Sequence, residues 1–202
     1  MKSYLLFIGL LFSVSMQAYY SISPYAWCGN NPVRFMDPEG RKIHIASSLA
    51  SRILGKVGVN TYHAKVSRDI SRLKQMDPQI QTMIVVLEKS ENTYTITPVS
   101  DRPDKKNGNA YDHNTNTLYY DPDNPKRLDG EVRDPIVGLA HELGHAENDE
   151  TGERIEYDQD KVQEGDVEEK KKKNQNEQNS IQKENIVREE LNLPLRDETY
   201  TK

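Results

Sequence analysis

The sequence predicts an α+β domain, and three observations carry that prediction. Apolar residues recur at helical spacing in several separate stretches. Two short β-branched and aromatic runs alternate in the manner of strands, too few for an all-β fold. The single cysteine, Cys28, excludes a disulfide-stapled scaffold and a four-cysteine metal site.

Taken in order, residues 44–56 are expected to form a short helix with Ile45, Leu49, Ile53 and Leu54 on one face. A second helix is expected over 61–75, carried by Val66, Ile70 and Leu73. Asp77-Pro78 reads as a helix start with proline in the first position, followed by Ile80, Met83, Ile84 and Leu87 on one face. Asn92 ends that helix, and residues 93–97 read as a strand. Residues 101–109 are polar and turn-rich, a surface loop, and residues 117–120 form a second short strand. Asp134-Pro135 opens another helix through Ile136, Val137, Leu139, Ala140 and Leu143. Residues 149–168 are acidic, contain Gly152 and Gly165, and read as a loop; a last helix is expected over 174–191.

Composition narrows the function classes. Hydrophobic residues make up 35% of the 202 residues and charged ones 29%, with a net charge of −5, so the chain is polar with room for one ordinary domain. No clustered basic face points to nucleic acid. The one dense basic run, Lys170 to Lys173, follows Glu168 and Glu169 and reads as a self-compensating helix surface. At the N-terminus, Lys2 precedes the apolar run from Leu5 to Phe12, and Ser13, Ser15 and Ala18 follow. That order predicts a signal peptide over residues 1–18 and hence export; the run is too short to span a bilayer, so no stable membrane insertion is expected.

The chemistry concentrates in His141-Glu142-Leu143-Gly144-His145. Four residues apart on a helix, His141 and His145 present two imidazoles to one metal ion, and Glu142 stands beside them as a general base toward a water that zinc would activate. Gly144 and Ala146 are small enough for another backbone to approach closely. A third protein ligand must come from elsewhere. The continuation with a glycine and a third histidine is absent, because Asn148 and Thr151 occupy those places. The remaining histidines, His44, His63 and His113, lie upstream; a downstream carboxylate is the usual completion of a gluzincin-like site, and Glu164, Glu168, Glu169, Glu177 and Glu184 are candidates by composition. An edge strand beside the motif helix, for which residues 117–120 are the candidate, would line a substrate cleft near Tyr111, Asp112 and His113.

Two resemblances sharpen this reading. Tyr19-Tyr20-Ser21-Ile22-Ser23-Pro24-Tyr25, Asn30-Asn31-Pro32-Val33 and Asp37-Pro38-Glu39-Gly40 resemble the end of the Rhs repeat-associated core, after which a variable toxin domain follows. The stretch from Arg133 to Ala146, together with Glu177, Ser180-Ile181, Glu184-Asn185, Arg188, Glu190-Leu191, Leu193-Pro194-Leu195-Arg196 and Tyr200, is similar to the effector-protein family of bacterial zinc metallopeptidases. With the signal peptide read over residues 1–18, the resemblances imply an Rhs-like segment over 19–42 and, over 43–202, a zincin-like domain of the effector-type zinc metallopeptidases, with a motif helix, a small sheet and a C-terminal ligand helix. The second resemblance implies Glu177 as third zinc ligand. Glu184 and Arg188 share the helix stripe of Glu177, where Glu184 or Arg188 would orient a histidine or the substrate, the alternative being an ordinary i,i+4 ion pair on a solvated face; Arg196 and Tyr200 are the candidate donors to a tetrahedral oxyanion. The resemblances further imply a protein or peptide substrate in a target cell, a secreted toxin or effector role, and a cognate immunity protein. The alternative is a zinc-binding or Rhs-tip interaction module without catalysis.

Overall fold

The computed structural model describes residues 42–46, 59–125 and 132–197. These residues belong to one compact unit that runs from Lys42 to Lys202. The expected signal peptide and all but the last residue of the Rhs-like segment lie outside the described residues, as does Tyr200.

The fold is mixed α+β. Strand β1 (Ile43–Ile45) is followed by helices α1 (Tyr62–Met76) and α2 (Pro78–Lys89), then by β2 (Tyr94–Pro98), β3 (Ala110–Asp112) and β4 (Thr117–Tyr120). Helices α3 (Pro135–Thr151), α4 (Gln159–Glu164) and α5 (Val167–Glu190) complete the described elements. The helix starts follow from capping chemistry. The Asp77 carboxylate accepts from the N–H of Gln79 at 2.7 Å and of Ile80 at 3.3 Å, and Asp134 accepts from Ile136 at 3.2 Å. Both are followed by proline at the first helical position, where no N–H is needed. Gly152 ends α3 in the left-handed region at φ 72°, a conformation open to glycine without a Cβ clash.

The sheet order is β1-β2-β4-β3, parallel except for β3, which runs antiparallel to β4. Three sequence expectations are corrected here. Ile43–Ile45 is not helical: it pairs with Tyr94–Ile96, because alternating isoleucines find a ready-made strand beside them; the rest of that expected helix lies outside the described residues. Residues 117–120 lie inside the sheet, between β2 and β3, so the edge beside the motif helix is β3 instead. The region 149–168 is largely helical. α3 runs on to Thr151, α4 sits between the Asp158 cap and Gly165, and α5 starts at Val167 rather than near 174. Ion pairs from Lys171 to Glu168 (2.9 Å) and Lys172 to Glu169 (2.8 Å) support that added first turn.

The core gathers Val66 and Leu73 of α1, Ile80, Met83, Ile84 and Leu87 of α2, Tyr94 and Ile96 of β2, Leu118 and Tyr120 of β4, and Val187 of α5 around α3. α3 itself contributes Ile136, Val137, Leu139, Ala140, Leu143 and Ala146. A helix buried on nearly every side is held in register by all its neighbours, which is what a precisely placed site requires. Among the described residues, no helix is long and apolar enough to cross a membrane.

Candidate metal centre

The site is built where α3 and α5 touch most closely. A Cβ on Gly144 would lie 3.1 Å from Ser180 Cα and 3.2 Å from Lys183 Cγ, tighter than ordinary van der Waals contact, so glycine favours this close approach of the helices. Ser180 is fully buried at that contact. One turn of α5 before Ser180, Glu177 then reaches the motif histidines; one turn after it, Glu184 reaches the other edge of His141.

Three side chains converge. The Nε2 atoms of His141 and His145 stand 3.2 Å apart, with the rings nearly perpendicular at 84°. Glu177 Oε2 lies 3.6 Å from His141 Nε2 and Glu177 Oε1 lies 3.7 Å from His145 Nε2, ion-pair contacts rather than hydrogen bonds. With one ligand atom taken from each residue, all three lie within 4.8 Å of one another, a group able to hold a metal ion. The donor set fits zinc by a simple test. A tetrahedral ion with bonds of roughly 2.0–2.1 Å spaces its ligand atoms about 3.3 Å apart. The two Nε2 atoms already stand at that spacing, 3.2 Å, while the carboxylate meets the two rings through different oxygens, at 3.6 and 3.7 Å, and with a single oxygen taken the three atoms lie within 4.8 Å, so an ion would draw the carboxylate inward.

Behind His141 lies a second carboxylate. Glu184 is completely buried, and its Oε2 stands 3.1 Å from His141 Nδ1. The ring nitrogen is not aligned for a full hydrogen bond, so this is a charge contact that fixes which imidazole edge faces the ligands. Arg188 donates Nε to Glu184 Oε1 at 2.9 Å, Arg196 donates Nη1 to Oε2 at 2.9 Å, and Arg133 Nη1 pairs with Oε1. The Glu184–Arg188 pair is therefore no solvated surface ion pair: Arg188 is 1% exposed. Arg196 is placed differently from the oxyanion expectation. One guanidinium nitrogen is committed to Glu184 and Arg196 does not line the cavity, although its charge still acts on His145 and Glu177. Arg133 is a partner that sequence reasoning left without a role; nothing in its spacing from Glu184 marks the contact.

Electrostatics follow from this crowding. Burial opposes charge on His141, but Glu177 and Glu184 outweigh it and raise its pKa to about 9. Burial and the charge of His141 depress His145 to about 3. The metal-free histidine pair therefore holds one proton near neutrality. Glu177 resists burial because His141 and His145 hold it down at about 2, and the cations around Glu184 hold that group well below the usual carboxylate range. Glu142 is raised to about 7, by burial first, with the pull of His141 and Arg133 set against repulsion from Glu177 and Glu184. A carboxyl group poised near neutral pH suits proton transfer in both directions.

Both histidines, Glu142 and Glu177 open onto a polar cavity of about 340 Å³. Its walls include Ala110 and Tyr111 of the edge strand, Asn148 of α3, Arg154 and Tyr157 from the connection after α3, and Lys173 and Asn176 of α5. Asn176 pins that connection: its amide takes the N–H of Ile155 at 2.9 Å and donates to the Ile155 carbonyl at 2.8 Å. Of these wall residues, Tyr111 carried a sequence signal; Asn148, Arg154, Tyr157 and Asn176 reach the cavity through tertiary packing. Comparison with protein-family models, with curated proteins and with solved structures finds no match for this chain.

Proposed function

We propose that this domain is a zinc-dependent peptidase of zincin-like arrangement, deployed as an exported toxin or effector against a protein of a target cell. The observation that carries the reading is the convergence of His141, His145 and Glu177 on one point, with Glu142 on the wall of the same cavity. Zinc, when bound there, would supply a Lewis acid that polarises a carbonyl and acidifies water. Glu142 takes a proton from water at its carboxylate and returns it to the departing amine, which a pKa of about 7 permits. Glu184 and its arginines keep His141 turned with Nε2 toward the ligand point.

A peptide substrate is favoured by the edge strand. Among the described residues, β3 pairs with β4 on one side only, and its other edge is free to hydrogen-bond an extended chain alongside the cavity. Export, a target cell and an immunity partner rest on the signal-peptide and Rhs resemblances of residues 1–42. A site for metal alone would have no use for a buried carboxyl group beside an open cavity, which sets the catalytic reading above the interaction-module alternative. The test is Glu142→Gln. Peptidase activity is expected to fall by about 10²- to 10⁴-fold while one zinc per chain is retained. Loss of zinc from this variant, or a zinc-free wild-type chain, would overturn the reading.

A further inference from the structure

Asn148 lies on α3 three residues after His145, on the same helix face, and it lines the cavity. It is 3% exposed, yet its Nδ2 has no hydrogen-bond partner among the described residues. Its main chain, by contrast, is heavily used: the Asn148 carbonyl accepts from the N–H of Glu153 at 2.9 Å and of Arg154 at 3.0 Å. Asn176, the other buried asparagine of the same cavity, spends both ends of its amide on Ile155. The fold thus fixes the backbone of Asn148 and leaves its amide idle, an arrangement that is unfavourable unless something else completes it.

We infer that Asn148 is a substrate-binding residue, whose amide pairs with the main-chain N–H and C=O of a substrate residue next to the scissile bond. The inference deepens the peptidase reading and rests on it. A primary amide offers one acceptor and one donor side by side, the complement of the main-chain carbonyl and N–H of one residue. It carries no charge, so it selects main chain rather than a carboxylate or phosphate. A chain paired along β3 would enter the same cavity through Ala110 and Tyr111, within reach of the Asn148 wall.

The test uses the zinc-loaded full chain and two probes with the same metal-binding group: acetohydroxamic acid, which has no peptide unit, and a dipeptide hydroxamate, which has. Affinities are read by calorimetry for the wild type and for Asn148→Leu, alongside thermal melting. The expected result is unchanged affinity for acetohydroxamic acid, a roughly five- to tenfold loss for the dipeptide hydroxamate, and a melting temperature that does not fall, since no structural bond is removed. Equal affinity for the dipeptide hydroxamate in both proteins overturns the inference. So does a lowered melting temperature with both affinities unchanged, which assigns the amide to bound water or to the fold. If Asn148→Leu does not fold, Asn148→Ala supplies the same affinity comparison. Failure of acetohydroxamic acid to bind even the wild type would reject the peptidase reading itself, and the role of Asn148 with it.

Discussion

Nδ1 of His141 faces Oε2 of the fully buried Glu184 at 3.1 Å, on the side of the ring sealed from solvent. Glu184 serves both the metal-ligand geometry and the fold, because Arg133, Arg188 and Arg196 all close on it from different parts of the chain. Glu177, two turns earlier on the same stripe of the helix, has no such entourage and is half-buried at the cavity.

That contrast separates two variants. Glu177→Ala is expected to weaken zinc affinity well beyond 100-fold, since it removes a ligand. Glu184→Ala is expected to weaken it by only about 10- to 100-fold, through loss of histidine orientation. The stability order reverses. Glu184→Ala leaves buried arginines uncompensated and should destabilise the metal-free fold by about 3–5 kcal/mol, whereas Glu177→Ala should be close to neutral. Zinc titration and chemical denaturation of both variants check this; emptying of the site by Glu184→Ala would exchange the roles.

Alkaline pH should loosen the metal-free protein and favour the metal. Between pH 7 and 9, two groups among the two histidines, Glu142, Glu177 and Glu184 still lose a proton: Glu142 around pH 7 and, across the rest of the window, His141. Its folded pKa of about 9 lies above the ordinary 6.5, so the folded chain holds a proton that the unfolded chain has released. The stabilisation is full below pH 6.5 and is lost as pH rises through about 9, at up to about 1.4 kcal/mol per pH unit. Zinc competes with the same proton, so its affinity should rise up to about tenfold per pH unit across that window, with about one proton released on binding. Denaturation of the metal-free protein at pH 7, 8 and 9, and calorimetry in buffers of different ionisation enthalpy, would expose the opposite trend if it exists.

Gly144→Ala tests the helix contact that sets the ligand spacing. Its Cβ would stand 3.1 Å from Ser180 Cα, a backbone atom that cannot swing aside. A loss of about 1–3 kcal/mol of stability is expected, together with weaker zinc binding as Glu177 is carried away from the histidines. Unchanged zinc affinity would show that α5 does not set the third ligand's position.

The site divides by the range of the interactions that build it. His141, Glu142 and His145 were legible because their relation is local: helical spacing alone puts the two imidazoles on one face, and Asp134-Pro135 announces the helix. The helices over 62–76 and 78–89 and the strands at 94–98 and 117–120 were legible for the same reason, in apolar periodicity and proline placement. Glu177 entered through a resemblance, since several downstream carboxylates were equal on composition.

What only the tertiary structure decided lies between elements distant in sequence. Strands β1 and β3 are three residues each, too short to carry a period, and exist because β2 and β4 offer them backbone partners. The commitment of Arg196 to Glu184, the convergence of Arg133 on the same carboxylate, and the pinning of Tyr157 and Arg154 beside the cavity by Asn176 depend on how α5 lies across α3. The sequence by itself determined the chemistry of two histidines and a glutamate, because four residues of helix suffice to bring them together. The third ligand's position, the buried partner behind His141 and the idle amide of Asn148 are properties of packing, fixed by a glycine that lets two helices meet.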